Sequence, residues 1–476
     1  MTIIDDKTFN DSVLNKNSHE NCSYFLGLSD KEIVEALNQK HAEMIEMKEY
    51  AILLESSNGK LQLQREADFK KTYQHEVIRE VNKRPVTVAD IWLKSHEKRR
   101  FNDIVFNPDP SREMPEKNYN LWKGFAVKPK AGDTLPFKEF IQEVICSDND
   151  YYFEYVWGWL ARMFQTPHEP AETAIVLKGQ QGTGKNTFVE IVGKILGDHF
   201  SPLASIEQLL GRFDFHHANG VLIHANEALW GGDKRMLGKL KTLITEKYVT
   251  VEQKHRDPVT LKNCRHMIFS SNEDWPVHLD KDDRRFFVLE ISDKYKEDYG
   301  YFNNIHQWAN NGGCEALLDE LLSYDISGFN FRNVPQSLGS FKIKLESSPN
   351  SAEYIYEALK LGRFDLVDND YLYNGSELTW MSEMTDVPKN KLYDAYASWC
   401  ANQKIQPDNK SKFGRSLKKL IPSTNMEKAI RNQGVVIHLY GLPQIQKARE
   451  EFENAYKAHG LIDWHETERF EAKAVC

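Results

Sequence analysis

The sequence predicts an α/β protein built around a mainly parallel sheet with helices on both faces, and three observations carry that expectation. "ETAIVLKG" (Glu172–Gly179) is a short apolar run entering a glycine-rich loop, and "NTFVEIVGKILG" (Asn186–Gly197) leaves the loop with helical spacing. Further buried-strand signals follow at "GVLIHANEA" (Gly220–Ala228), "RHMIFSSNE" (Arg265–Glu273) and "RRFFVLEIS" (Arg284–Ser292). Helical stretches separate these strands, and such alternation implies parallel pairing with both faces covered.

Along the chain, the text divides into five parts. Residues 1–28 are polar and Asn-rich without sustained periodicity, as expected of a flexible arm. At Ser29, "SDKEIVEALNQKHAEM" offers an N-cap serine with a glutamate three residues on, then helical spacing, and opens a mostly helical N-terminal region over 29–170. The run "YYFEYVWGWLARMF" (Tyr151–Phe164) contains Glu154 and Arg162 and falls short of the roughly 20 residues that span a bilayer, so it reads as core helix. Residues 171–330 hold the strands and the glycine-rich loop. The turn-rich "DISGFNFRNVPQSLGS" (Asp325–Ser340) then reads as a domain exit, 331–385 as linker and helical extension, and 386–476 as a small winged-helix-like basic domain.

That last assignment rests on a helix pair, "NKLYDAYASWCANQ" and "KSKFGRSLKKLI", followed by the strand-like "GVVIHLYGL". From Lys389 to Arg431 ten Lys or Arg face three acids, Asp394, Asp408 and Glu427, and the basic second helix could lie against a duplex; a solvated basic face is the plainer alternative.

The composition narrows the function. A net charge of -9 argues against bulk attraction to nucleic acid, so DNA contact must come from local basic patches. Six cysteines (Cys22, Cys146, Cys264, Cys314, Cys400, Cys476) lie far apart without metal-ligand spacing, which points to a reducing compartment and no structural zinc. The expectation is a cytoplasmic protein without a membrane segment or signal peptide.

The chemistry gathers in the middle. "LKGQQGTGKNTF" fits the phosphate-loop pattern through Gly179, Gly184 and Lys185. Its backbone N–H groups, with Gly182 and Thr183 inside the loop, would converge on ATP phosphates, Lys185 would neutralise the β and γ phosphates, and Thr187 would meet the α phosphate. Asn186 stands where a hydroxyl residue would hold Mg²⁺. "VLIHANEA" ends in Asn226 and Glu227, where a metal-holding acid and a water-activating acid are expected, so the base is present but its neighbour is an amide. The next strand ends in Asn272, a polar tip able to orient the attacking water. "KDDRRFF" offers Arg284 and Arg285; one could reach into the next subunit's nucleotide, or could simply pair with Asp282 or Asp283. Between these strands, "YVTVEQKHRDPVTLKN" forms two alternating runs about a basic tip, Lys254, His255 and Arg256, suited to tracking a phosphate backbone.

Taken in order, Lys185, Glu227, Asn272 and Arg284 resemble a superfamily 3 helicase of the AAA+ class. "VTVEQKH" is similar to the pore hairpins of viral helicases, which implies that Lys254 and His255 grip DNA, and "DRRF" resembles the arginine-finger context, which nominates Arg284 over Arg285. With "NLWKGFAV", "GWLARMFQTP", "LLGRFDFH" and "GGCEALLDELLSYDISGF", the similarity extends over roughly Lys31 to Asn330 to the helicase part of phage and prophage primase-helicases. The resemblance implies an AAA+ core, ATP and Mg²⁺ as cofactors, a homo-oligomeric ring that is hexameric in the family, and single-stranded or forked DNA as partner. The 29–170 region would then be an assembly collar. Asn186 and Asn226 depart from the family pattern, so a ring-forming initiator or scaffold with a weakened ATPase is the rival reading; a nucleotide-dependent regulator is a weaker third. Relatives often carry a primase upstream, but "DND" at Asp148–Asp150 and Asp368–Asp370 lacks a supporting acidic constellation, so priming is expected from another chain.

Overall fold

A computed structural model describes residues 24–45, 52–55, 61–109, 111–113, 115–203, 220–226, 234–251, 259–272, 279, 283–365, 377–380, 383–432 and 434–464. Two compact units divide the chain, Met1–Gly124 and Phe125–Cys476.

In the first unit Ser29 caps the helix Asp30–Asn38. Its backbone N–H donates to Glu32 Oε2 at 2.8 Å and its hydroxyl accepts from Glu32 N at 3.3 Å, so the expected capping box is formed. This helix buries Ile33, Val34 and Leu37 in a core shared with Phe69 and Trp92. Where mostly helix is expected, the described residues of this unit hold three helices and eight short strands. The cause is length: "HAEM", "ILLE" and "LQLQ" are four residues each, too short for a period of two to declare itself against a helical one.

The second unit carries a five-stranded sheet. Its strands are β1 (Ala174–Lys178), β2 (Phe200–Leu203), β3 (Leu222–Asn226), β4 (His266–Ser271) and β5 (Phe286–Glu290). All pairings are parallel, in the order β2-β3-β4-β1-β5. Strand residues of one parity (Val176, Ile223, Phe269, Val288) pack against Leu237, Leu240 and Ile244 of α3 (Lys234–Thr245) and Ile343 of α5 (Leu338–Glu346). On the other parity, Phe287 meets Tyr152 and Tyr155 of α1 (Asp150–Gln165) at 5.5 and 5.0 Å between centroids. Neighbouring strand residues face opposite ways, so the sheet is covered on both sides. The aromatic run of α1 is core, with Tyr155 to Phe164 buried.

The turn-rich segment after Tyr324 stays on this sheet unit. A Cβ at Gly158 of α1 would lie 2.6 Å from the Phe329 ring, the Tyr155 hydroxyl donates to Phe331 O at 2.7 Å, and α5 completes the sheet's cover. Turn residues here mark a strap over the core, not an exit from it. Phe341 of α5 also enters the next core, formed with Ile355, Tyr396, Phe413, Leu417 and Phe452. That core belongs to a module of α6 (Lys389–Asn402), α7 (Lys410–Leu420) and a hairpin of β6 (Ala429–Asn432) and β7 (Val435–Leu442). No helix among the described residues is long and apolar enough to cross a membrane.

Candidate functional site

Parallel strands deliver their carboxyl ends to one edge of a sheet, where α/β proteins place ligands. Here the loop 179–184 leaves β1 at that edge and enters α2 (Lys185–Leu196). The Gly179 N–H donates to Ser271 O of β4 at 3.1 Å. Gly182 and Gly184 take φ of +79° and +92°, and a Cβ at Gly184 would stand 2.5 Å from the Phe302 ring, so both backbone geometry and space demand glycine there.

Lys185, the first residue of α2, is only 8% exposed. Its ammonium donates to Gly179 O at 2.5 Å, Gln180 O at 2.7 Å and Asn272 Oδ1 at 2.9 Å. Burial pushes its pKa below the usual lysine value. The ammonium thus sits at the mouth of the loop, held by three neutral oxygens that phosphate oxygens could replace. Thr183 donates its hydroxyl to Gln180 O at 2.8 Å and stiffens the loop from within. Asn186 is exposed on the first turn of α2, and Thr187, buried beneath it, stands 3.5 Å from His306 Nε2. Asn226 ends β3 in register with Ser270, so it shares the loop's edge of the sheet.

Sequence reasoning missed one part of this site. After β5 the chain runs over the loop: Glu297 N–H donates to Gly182 O at 3.0 Å, and Lys296 Nζ reaches Gln180 Oε1 at 2.5 Å. Phe302 and His306 follow on α4 (Tyr299–Trp308), whose N-cap Asp298 accepts from Tyr301 N–H at 2.9 Å. The only sequence signal was that cap, which says where a helix starts and nothing of what it covers.

Arg284 is placed differently. It precedes β5, and β5 runs parallel to β1 with Phe286 opposite Ala174 and Glu290 opposite Lys178. At about 3.3 Å per residue, Arg284, six residues before Glu290, therefore lies on the order of 20 Å from the loop edge, at the other end of the strands. The glycine-rich loop of its own chain is out of reach. Of the two arginines, Arg285 is tied down: the carboxylate of Asp283, 1% exposed, lies 3.6 Å from Arg285 Nη1 and 2.7 Å from Lys241 Nζ. Arg284 is exposed and makes no ion pair among the described residues.

The runs around the basic tip do form an antiparallel hairpin, Tyr248–Val251 with Val259–Lys262. Lys254, His255, Arg256 and Glu227 lie outside the described residues, as do Asp282 and Asp368–Asp370.

Comparison with known proteins adds to this geometry. Residues 177–285, from the end of β1 to Arg285, match a family of unknown function, DUF5906. Residues 363–454 match the family described as Poxvirus D5 protein-like. Over 207 residues the chain is 31% identical to the DNA primase-polymerase of Nitratiruptor phage NrS-1; the match takes in 42% of this chain and 28% of that protein's length. Two apo structures of the NrS-1 C-terminal region superpose with TM-scores of 0.58 and 0.59 at 18% identity, over 86% of this chain and 98% and 99% of theirs. The fold is similar to that of the NrS-1 C-terminal region. At that identity the likeness speaks of fold alone. The mixed α/β architecture is therefore shared with the NrS-1 C-terminal region, and the chain's sequence match is to part of a phage DNA primase-polymerase, of which it spans under a third.

Proposed function

We propose that this chain is an ATP-dependent, ring-forming DNA helicase of the superfamily 3, AAA+ type, acting in the replication of a phage, prophage or mobile genetic element. The observation that carries the reading is the Lys185–Asn272 contact at 2.9 Å, which joins a glycine loop at a helix start to the polar tip of a neighbouring parallel strand. In such a site Lys185 and the loop N–H groups of Gly182 to Thr187 bind the triphosphate, Glu227 activates water, and Asn272 positions that water against the γ phosphate. Mg²⁺ would be held by Asn186, Asn226 and Glu227 together with phosphate oxygens and waters; neither amide is charged, so binding of the metal leans on the nucleotide. Bound there with the nucleotide, the ion would supply positive charge against the triphosphate.

Support for a ring comes from Arg284. An exposed arginine far from its own loop, with its neighbour Arg285 anchored by Asp283, suits a finger that completes the site of an adjacent copy. The basic hairpin tip at Lys254, His255 and Arg256 would face single-stranded or forked DNA in the ring's channel, and a primase or polymerase would be the further partner.

The deciding experiment is steady-state ATP hydrolysis with and without single-stranded DNA, alongside unwinding of a forked substrate. Stimulated turnover with unwinding is the expected result. One observation favours a second reading, a ring-forming initiator or scaffold: both Asn186 and Asn226 replace groups that would bind the metal more tightly. DNA binding with no hydrolysis at any Mg²⁺ concentration would select it.

A further inference from the structure

The C-terminal module carries a groove of about 970 Å³ between the start of α6, the first turns of α7 and the strand β7. Gly414 lets the two walls approach closely: a Cβ there would lie 2.9 Å from the Tyr440 hydroxyl, which would have to shift to admit it. One wall is cationic. Lys389 Nζ donates to Met426 O at 2.5 Å, Lys410 Nζ to Asn390 Oδ1 at 3.0 Å, and Arg415 Nε to Ser411 O at 3.4 Å. Every one of these partners is neutral. Nearby acids are already used, Asp408 by Lys412 at 2.6 Å and Asp386 by Lys428 at 2.6 Å. Lys410 and Arg415 of α7 and Lys389 of α6 all line this groove, so three cations border one cavity.

The other wall is unusual in being apolar and exposed. Val435, Val436 and Ile430 of the hairpin are 63%, 49% and 46% exposed. Ile430 pairs with Ile437 on the face of the hairpin that also carries Val435, exposed Arg431 pairs with Val436 on the other face, and Val435, Val436 and Ile437 line the groove. Aliphatic side chains add nothing to phosphate binding, but they do press against base planes where a duplex opens or kinks. Cations with no counter-charge among the described residues, beside exposed apolar groups on a hairpin, fit a ligand with both a charged backbone and an exposed stack.

We propose that this groove grips the duplex arm of a DNA fork, with its phosphates on Lys389, Lys410 and Arg415 and the terminal base pair against Val435 and Val436. This site is separate from the nucleotide loop and from the 252–258 hairpin tip. It deepens the helicase reading by naming what holds the duplex ahead of the ring.

Its test uses the full chain without nucleotide, so that failure of ATP hydrolysis leaves it untouched. Fluorescence anisotropy with forked, blunt duplex and single-stranded DNA of equal length, across a salt series, gives affinities and salt slopes. Wild type should prefer the fork. In the double variant K410Q/R415Q the log-log salt slope should become shallower by about 1.8, at roughly 0.9 per phosphate contact, with fork and duplex affinity both reduced. The charge-keeping K410R/R415K should restore the slope, which separates lost charge from a disturbed fold. V435S/V436S should keep the slope and lose the preference for fork over blunt duplex. An unchanged slope in K410Q/R415Q, a full fork preference in V435S/V436S, or a wild type that favours single strands over forks would each overturn the proposal.

Discussion

Lys185 Nζ lies 2.9 Å from Asn272 Oδ1, and this bond links the end of the glycine-rich loop to the tip of β4. The same amide therefore faces the ammonium that would carry the γ phosphate and the space where an attacking water would stand. Asn272→Ala should leave ATP binding close to wild type, because Gly179 O and Gln180 O still hold the lysine, while hydrolysis falls about 10²- to 10³-fold, as for the loss of one positioned dipole. Asn272→Asp should lose binding as well, since a carboxylate would pair with Lys185 and repel phosphate. Lys185→Ala should abolish both activities. Equal losses in the alanine and aspartate variants, measured as separate binding and turnover, would remove Asn272 from the site.

Arg284 and Arg285 are adjacent but should behave unlike each other. Arg284→Ala should leave nucleotide binding nearly intact and cut hydrolysis by about 10³ to 10⁵, and mixed with wild-type subunits it should poison their activity. Asp283→Asn should act through stability and lower the melting temperature, because the carboxylate it removes, 1% exposed, is the shared partner of Lys241 and Arg285. The check is a melting temperature beside a mixing experiment: an Arg284→Ala chain that melts early, or that fails to poison, would not be acting as a finger between subunits.

Much of this site was legible because its signals are local. The apolar strand, the glycines and the amphipathic helix are contiguous in sequence, so the Gly179–Leu196 unit could be read directly, as could the alternating runs that pair from Tyr248 to Lys262. What could not be read depends on distant residues. Nothing near Arg284 says that Lys241, on α3, shares Asp283 with Arg285 and leaves Arg284 without an ion pair among the described residues. Nothing near Gly182 says that Glu297 will lie over it. The four-residue strands of the first unit failed for a different reason, being shorter than the pattern needed to recognise them.

Acid should destabilise the chain before most carboxylates titrate. His224, bonded to Ser270 Oγ at 2.9 Å, is held down to about 4 by burial, and His266, also buried, to about 3. A histidine whose folded pKa lies below its unfolded value of about 6.5 gives its full stability above that value and loses it as pH falls toward the folded pKa. For His224 the difference is worth roughly 3 kcal/mol. The melting temperature should thus fall steadily from about pH 6.5 to about pH 4.5. His224→Gln, which keeps a hydrogen-bonding group toward Ser270, should make that fall shallower; an unchanged pH profile would show that His224 is not neutral in the folded chain.

Magnesium dependence tests the two amides together. Asn226 ends β3 opposite Ser270, one residue before the Ser271 carbonyl that receives the Gly179 N–H, so this strand tip and the loop share one edge, and Asn186 lies on the first turn of the helix leaving that loop. Magnesium accepts oxygen from an amide, but without negative charge from either residue its affinity must come from the triphosphate and Glu227. Restoring a hydroxyl and a carboxylate with Asn186→Ser and Asn226→Asp should lower the Mg²⁺ concentration needed for half-maximal hydrolysis, with the aspartate giving most of the change because it adds the charge. Glu227→Gln should keep ATP bound without turnover. Titration of hydrolysis against Mg²⁺ at saturating ATP reads all three variants. No shift in the double variant would take Asn186 and Asn226 out of the metal's surroundings, whereas hydrolysis found only in the double variant would mean that the natural chain binds DNA as a ring without using ATP.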